Sequence, residues 1–316
     1  MPLVAISGRG AFFKKEKYVK LYHASPSLRI LKRYYETFGT PLNVLLSVAY
    51  NQQEFPGFLI DYRHMVNSLI ADSGAWSVAH ENSNLTIEAL IVHLKMWGHL
   101  YDLYFNFDTD FSDKGFDNNI ANQLRMEKEG LNPVPVVHNF FDDEIPYYVQ
   151  SGKYDWLALG SKQSKNFEDF QYAIDRIKKW GNPKIKIHWF GGARYEWLVR
   201  VPIASCDITT WTMAGAFGFI QYWNEEFDDP YKMNKIYIGG RIREESDEDK
   251  KRQFLFTQYP WKRQLEEYLD TTFGLTFGDL CGHQDKENIQ LINLHYFTEL
   301  ERHVNEERAR RGISLE

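Results

Sequence analysis

The sequence predicts an α/β fold of the (β/α)8 TIM-barrel type, and three observations carry that prediction. Short apolar runs recur between residues 42 and 211. Amphipathic segments usually separate them, so strand and helix alternate as in parallel βαβ units. No G-x-G-x-x-G follows any run, which weakens the doubly wound open sheet, the alternative architecture.

The runs, in order, are "PLNVLLSV" (41–48), "SLIADSG" (68–74), "DLYFNFD" (102–108), "PVPVVH" (133–138), "DWLALGS" (155–161), "KIKIHWFG" (184–191) and "PIASCD" (202–207). They are rich in Val, Ile and aromatics and in places continuously apolar, the signature of strands buried on both faces. Between them, Ile87, Leu90, Ile91, Leu94 and Trp97 fall on one face of a helix over 86–100. A helix over 117–130 stops at Gly130, with Pro133 just beyond. A third, over 167–180, carries Phe167, Phe170, Ile174 and Ile177 on one face, with Asn166 as N-cap and Lys178 and Lys179 in its last turn. The chain reads as one domain, 1–316, with a charge-rich insertion around 225–285 and a final helix around 286–310.

Composition narrows the setting. With 316 residues, 43% of them hydrophobic, the chain can bury a sizeable core. Its formal charge of −6 gives no global argument for nucleic acid, although a local basic face suffices for binding. The two cysteines, Cys206 and Cys281, build neither a disulfide framework nor a four-thiolate metal site, and a reducing cytoplasm is the default. Cys206 reads as a small core residue. No apolar run is long enough to span a membrane.

In a parallel barrel the active site lies at the C-terminal ends of the strands. The residues there are Asp72, Asp108 with Asp110, His138, Gly160, His188 and Asp207. Each also has a structural reading: Asp72 as a helix cap, Asp108 or Asp110 as a loop brace, a strand-end His as a satisfied core group. Together they describe a barrel mouth rich in carboxylates. The histidines stand on separate runs and no His-x-His pair occurs there, so metal hydrolysis is disfavoured. Separated carboxylates suit glycosyl chemistry, one attacking the anomeric carbon and another moving the proton.

Several segments resemble the tRNA-guanine transglycosylase family in that family's order: "ADSGAWS" (71–77), "FNFDTD" (105–110), "PVPVVH" (133–138), "LALGS" (157–161), "HWFGGA" (188–193) and "SCDITTW" (205–211), with the "NLHYFTELERHV" (293–304) helix. The last strand segment is most similar to a divergent, often phage-encoded branch that looks like the DNA-modifying transglycosylases installing 7-deazaguanine bases. The resemblance implies that Asp207 is the nucleophile at C1′ and Asp72 the general acid/base beside the bound base. It further implies that Asp108 hydrogen-bonds the guanine-like edge, with Asp110 near a second recognition position. His138 stands where the family usually has a base-contacting glutamine. Gly160 matches a glycine whose backbone lies close to the base, Phe190 falls at a stacking position, Trp76 falls near another, and His188 completes the expected substrate-binding set.

The family's Cys-x-Cys-x-x-Cys cluster is absent, and Ile292 precedes Asn293 where its zinc-binding His would be. The expectation is therefore a barrel with a C-terminal extension, without the family's zinc subdomain and without a cofactor. Ala75 replaces a family glycine, which alters the room beside the base. The expected partners are nucleic acid, DNA favoured over tRNA, and a free 7-deazaguanine such as preQ0, with a homodimer or partner proteins left open. Lys232, Lys235, Arg241 and Arg243 are candidate nucleic-acid contacts. The expected location is the cytoplasm, a host's if the chain is phage-encoded. The competing functions are a tRNA-guanine transglycosylase, a small-molecule nucleosidase and a non-catalytic partner subunit.

Overall fold

The computed structural model describes residues 18–50, 54–81, 83–112, 114–160, 166–180, 184–229, 232–239, 242, 250–281 and 285–315. Eight parallel strands form one curled sheet: β1 (Lys20–Ala24), β2 (Leu42–Ser47), β3 (Val66–Asp72), β4 (Leu103–Tyr104), β5 (Val136–Val137), β6 (Trp156–Leu159), β7 (Lys186–Trp189) and β8 (Ser205–Ile208). Their order is β4-β3-β2-β1-β8-β7-β6-β5. Every strand lies beside its neighbours in sequence, and β8 returns to β1, pairing Lys20 with Ser205 and Tyr22 with Asp207. A doubly wound sheet would reverse direction midway; this one runs on around. At its free edges a parallel bridge links Phe105 to Val134, with Asn106 N–H donating to Val134 O (3.0 Å) and Val134 N–H to Tyr104 O (2.8 Å). The architecture is that of a TIM-like barrel.

The predicted runs fall on β2 to β8. The strand missing from the sequence reading is β1, whose "KLYHA" is interrupted by polar residues. The helices are α1 (Leu28–Phe38), α2 (Ala75–His80), α3 (Ile87–Trp97), α4 (Phe116–Lys128), α5 (Glu144–Gln150), α6 (Phe167–Trp180), α7 (Tyr195–Leu198) and α8 (Thr210–Phe217). Asn166 Oδ1 accepts from Asp169 N–H (2.8 Å), the expected cap of α6. Gly130 ends the α4 region at φ +82°, a backbone that L side chains resist.

Two apolar layers follow from the pleat. Tyr22, Ala24, Leu45, Ile70, Phe105, Val134, Val136 and Ala158 fill the barrel interior. Outward residues such as Leu21, Val44, Leu69, Leu157, Ile187 and Cys206 meet the helices. All six positions of β2 are buried, as expected of a strand covered on both faces. Cys206 is a core residue, as predicted.

After the barrel the chain builds a second sheet, β9 (Phe219–Trp223), β10 (Met233–Tyr237) and β11 (Gln253–Leu255), followed by α9 (Lys262–Phe273) and the long α10 (Asp285–Arg311). β10 runs antiparallel to β9 and parallel to β11. The stretch read as a charge-rich insertion, 225–285, holds β10, β11 and α9, and with β9 it has its own apolar cluster. There Ile220, Ile236, Leu265 and Leu269 pack against Ile289 and Ile292 of α10.

α10 ties both parts together through polar side chains. Asn293 is fully buried and pairs with the β9 backbone, accepting from Gln221 N–H (2.9 Å) and donating to Phe219 O (3.1 Å). Glu301 accepts from Leu21 N–H (2.6 Å), and Asn305 accepts from Val19 N–H (2.8 Å) at the start of β1. The Arg308 guanidinium donates to the carbonyls of Leu198, Ile203 and Val201, fixing the segment that leads into β8. Among the described residues no helix is long and apolar enough to cross a membrane.

Candidate active site

A cavity of about 290 Å3 opens at the C-terminal ends of the strands, near the lower end of small-molecule pocket sizes. The pleat explains its lining. Side chains two residues apart on a strand share a face, so the last inward residue of each strand reaches the mouth. Ala24, Ser47, Asp72, His138, Gly160, Phe190 and Asp207 all line it, and Asp108 joins them from just beyond the bridge at Phe105.

Asp207 is 7% exposed. Its Oδ1 accepts from Gly191 N–H at 2.8 Å, which leaves Oδ2 as the oxygen without a hydrogen bond from the described residues. Gly191 holds this contact at φ +66°, where the chain turns out of β7. Beneath the carboxylate lies His188, fully buried. Its Nε2 is 3.5 Å from Asp207 Oδ1, and its Nδ1 shares a 2.8 Å hydrogen bond with Ser205 Oγ.

Asp72 ends β3, where its Oδ2 accepts from Gly74 N–H (3.2 Å). Its carboxyl is pushed up to about 7, first by burial and then by the neighbouring charges of Asp108 and Asp207. It therefore carries its proton over part of the neutral range while Asp207 lies within its electrostatic reach. A carboxyl group that holds its proton into the neutral range is what general acid chemistry requires.

Asp108 Oδ2 accepts from His138 Nε2 at 2.7 Å. His138 is held in turn by its backbone N–H, which donates to Glu144 Oε2 (2.7 Å). Glu144 is 5% exposed, and burial pushes its carboxyl up to about 7. Gly160 stands close by: a Cβ there would lie 3.3 Å from His138 Nδ1, so glycine gives the imidazole its place.

Aromatic rings close the sides. Phe190 packs on Phe105 (4.7 Å between centroids) and faces the cavity. At the rim Trp76 stacks on His80 at 3.9 Å and remains 53% exposed, with Phe111 edge-on at 5.5 Å.

Of the residues predicted from sequence, the structure brings Asp72, Trp76, Asp108, His138, Gly160, Phe190 and Asp207 to this one cavity. It does not bring Asp110 or His188 to the lining. Asp110 braces a loop: Oδ1 accepts from Ser112 N–H (3.0 Å) and Oδ2 from Asn118 Nδ2 (2.7 Å), committing both oxygens. His188 sits one layer below, behind Asp207 rather than beside a ligand. Lys235 lies within β10 and Lys232 just before it, where Lys232 Nζ donates to the carbonyls of Glu225 and Phe227. Arg241 and Arg243 lie outside the described residues.

Sequence reasoning missed Ser47, Tyr50, Phe111, Thr209 and Glu144. Ser47 had a visible signal, since it ends the inward-facing series of β2. Glu144 had none, because its role depends on the fold of the loop after β5.

Among the described residues no group of three His, Cys, Asp or Glu side chains is placed to hold a metal ion. No family model matches the chain, and no curated protein matches it.

Proposed function

We propose that this protein is a base-exchange glycosyltransferase that replaces guanine in nucleic acid, DNA in preference to tRNA, by a 7-deazaguanine such as preQ0. The observation that carries the proposal is convergence. Asp72, Asp108 and Asp207, far apart in the chain, line one cavity sized for a planar heterocycle, with Phe190 and Trp76 on its sides. The motif resemblance, in the same order along the chain, supplies the substrate class. In this reading the 219–281 sheet and helix, with α10, form a C-terminal extension standing in place of the family's zinc subdomain.

The chemistry follows from the site. Asp207 Oδ2 attacks C1′ of the target nucleotide, and the bond from C1′ to N9 of guanine breaks. Asp72, protonated, gives its proton to the departing base. The incoming base then loses its N9 proton to the Asp72 carboxylate and attacks C1′, which releases Asp207. Configuration is retained over the two displacements, and no net proton is consumed. A group poised near pH 7 suits this double duty, because it must give a proton and then take one. Asp108 accepts from the N–H edge of the heterocycle, while the aromatic rings cover its faces. A base in a duplex must be flipped out, or already unpaired, to enter.

The test is incubation with DNA and labelled preQ0, followed by digestion to nucleosides. Wild type incorporates label and Asp207→Ala does not; equally low incorporation by both overturns the reading for that substrate. A tRNA arm of the same assay decides between the two polymers. Label transfer to free nucleosides alone would favour the nucleosidase, the reading to which the net charge of −6 lends weight.

A further inference from the structure

The two oxygens of Asp108 are not equivalent. Oδ2 accepts from His138 Nε2 at 2.7 Å, whereas Oδ1 has no hydrogen bond from the described residues, and the side chain lines the cavity. His138 is not a loose side chain that a ligand could push aside. Its backbone is tied to Glu144, and its ring lies against Gly160, where even a methyl group would crowd it. Phe111 packs edge-on against the imidazole at 4.8 Å. The imidazole and the carboxylate are almost withdrawn from water, with side-chain exposures of 14% and 9%.

A carboxylate with both oxygens open pairs with two adjacent N–H donors in a parallel, bidentate fashion. With one lone pair of Oδ2 held by His138, Asp108 keeps a single oxygen, Oδ1, that no described residue engages. We propose that His138 is a specificity-determining residue: by occupying one oxygen of Asp108, it makes that carboxylate read a single N–H of the bound heterocycle rather than two. The inference rests on the base-binding reading above and adds a selectivity to it. The pocket should take purine-like bases whether or not they carry an exocyclic amine beside the ring N–H. Guanine presents both donors and hypoxanthine only the ring N–H, so the pair reports directly on how many donors Asp108 reads.

The experiment is calorimetric titration of the full chain with guanine and with hypoxanthine. Wild type is expected to bind the two within about tenfold of each other, since the second oxygen the extra amine would meet already accepts from His138. His138→Phe keeps a ring but removes the donor, which frees Oδ2. The preference for guanine should then grow by about tenfold or more, the value of one charge-assisted hydrogen bond. His138→Gln, which retains an N–H donor, should keep the wild-type ratio. A wild-type preference for guanine beyond about a hundredfold overturns the inference while leaving base binding intact. So does an unchanged ratio in His138→Phe when both bases still bind. Failure of wild type to bind either base overturns the functional reading, and the inference with it.

Discussion

Glu144 gives a stability prediction that can be worked from the structure. Its side chain is 5% exposed, and it accepts from the backbone N–H of His138. Burial pushes its carboxyl from 4.5 to about 7; Asp142 adds to the rise, and the hydrogen bond and charge of His138 oppose it. The folded protein thus keeps this proton well above the pH at which the unfolded chain releases it. The contribution to stability is fully present below pH 4.5 and is lost as pH rises through about 7. At about 1.4 kcal/mol per pKa unit the loss is about 3 kcal/mol. In Glu144→Gln the carbonyl oxygen still accepts from His138, but nothing titrates. Urea unfolding at pH 5 and pH 8 should show the variant about 1 kcal/mol less stable than wild type at the lower pH, from a poorer hydrogen bond. At the higher pH it should be about 2 kcal/mol more stable. Asp72 and Glu301, whose carboxyls are also pushed up to about 7, titrate in both proteins and cancel from the comparison. An equal loss of stability between the two pH values in wild type and variant would refute the assignment of this proton to Glu144.

Two further outcomes follow from the site. Asp72→Asn should lower label incorporation by about 10²–10⁴ while base binding persists, and the limb near pH 7 in the wild-type pH–rate profile should vanish in the variant; the check is single-turnover transfer across pH 5.5–8.5. Gly74→Ala should destabilise the fold by about 1–3 kcal/mol, because Gly74 sits at φ +79° and the new Cβ would lie 2.6 Å from Ala49 Cβ and 3.0 Å from Ala49 N. Thermal unfolding measures it, and a Tm unchanged from wild type would contradict the turn geometry that places Asp72.

What the sequence shows and what it hides follow from one geometric fact. Strands buried on both faces give continuous apolar runs, so β2 to β8 stand out, and the last inward residue of a run lies at the barrel mouth. That is why Asp72, His138, Gly160 and Asp207 were legible. β1 was not, because Lys20 shares the face of its inward Tyr22 and Ala24, and its outward positions include a polar His23 that meets Thr298 of α10. Its run is too broken to separate from a loop. Depth was the second thing hidden. In "HWFG" both His188 and Phe190 face inward by the pleat's period of two, but only Phe190 reaches the cavity, while His188 falls one layer lower, beside Ser205 and beneath Asp207. The same offset separates Ser205 from Asp207 on β8, so the buried contacts of the carboxylate come from residues two places earlier on neighbouring strands. Asp110 failed for a different reason: beyond Phe105 the chain has left the ladder, strand parity no longer governs which way a side chain faces, and local hydrogen bonds to Ser112 and Asn118 decide it instead. A strand-end carboxylate in such a barrel is therefore a candidate for the cavity only while it stays in step with the pleat, or, like Asp108, is drawn back to the mouth by a partner such as His138.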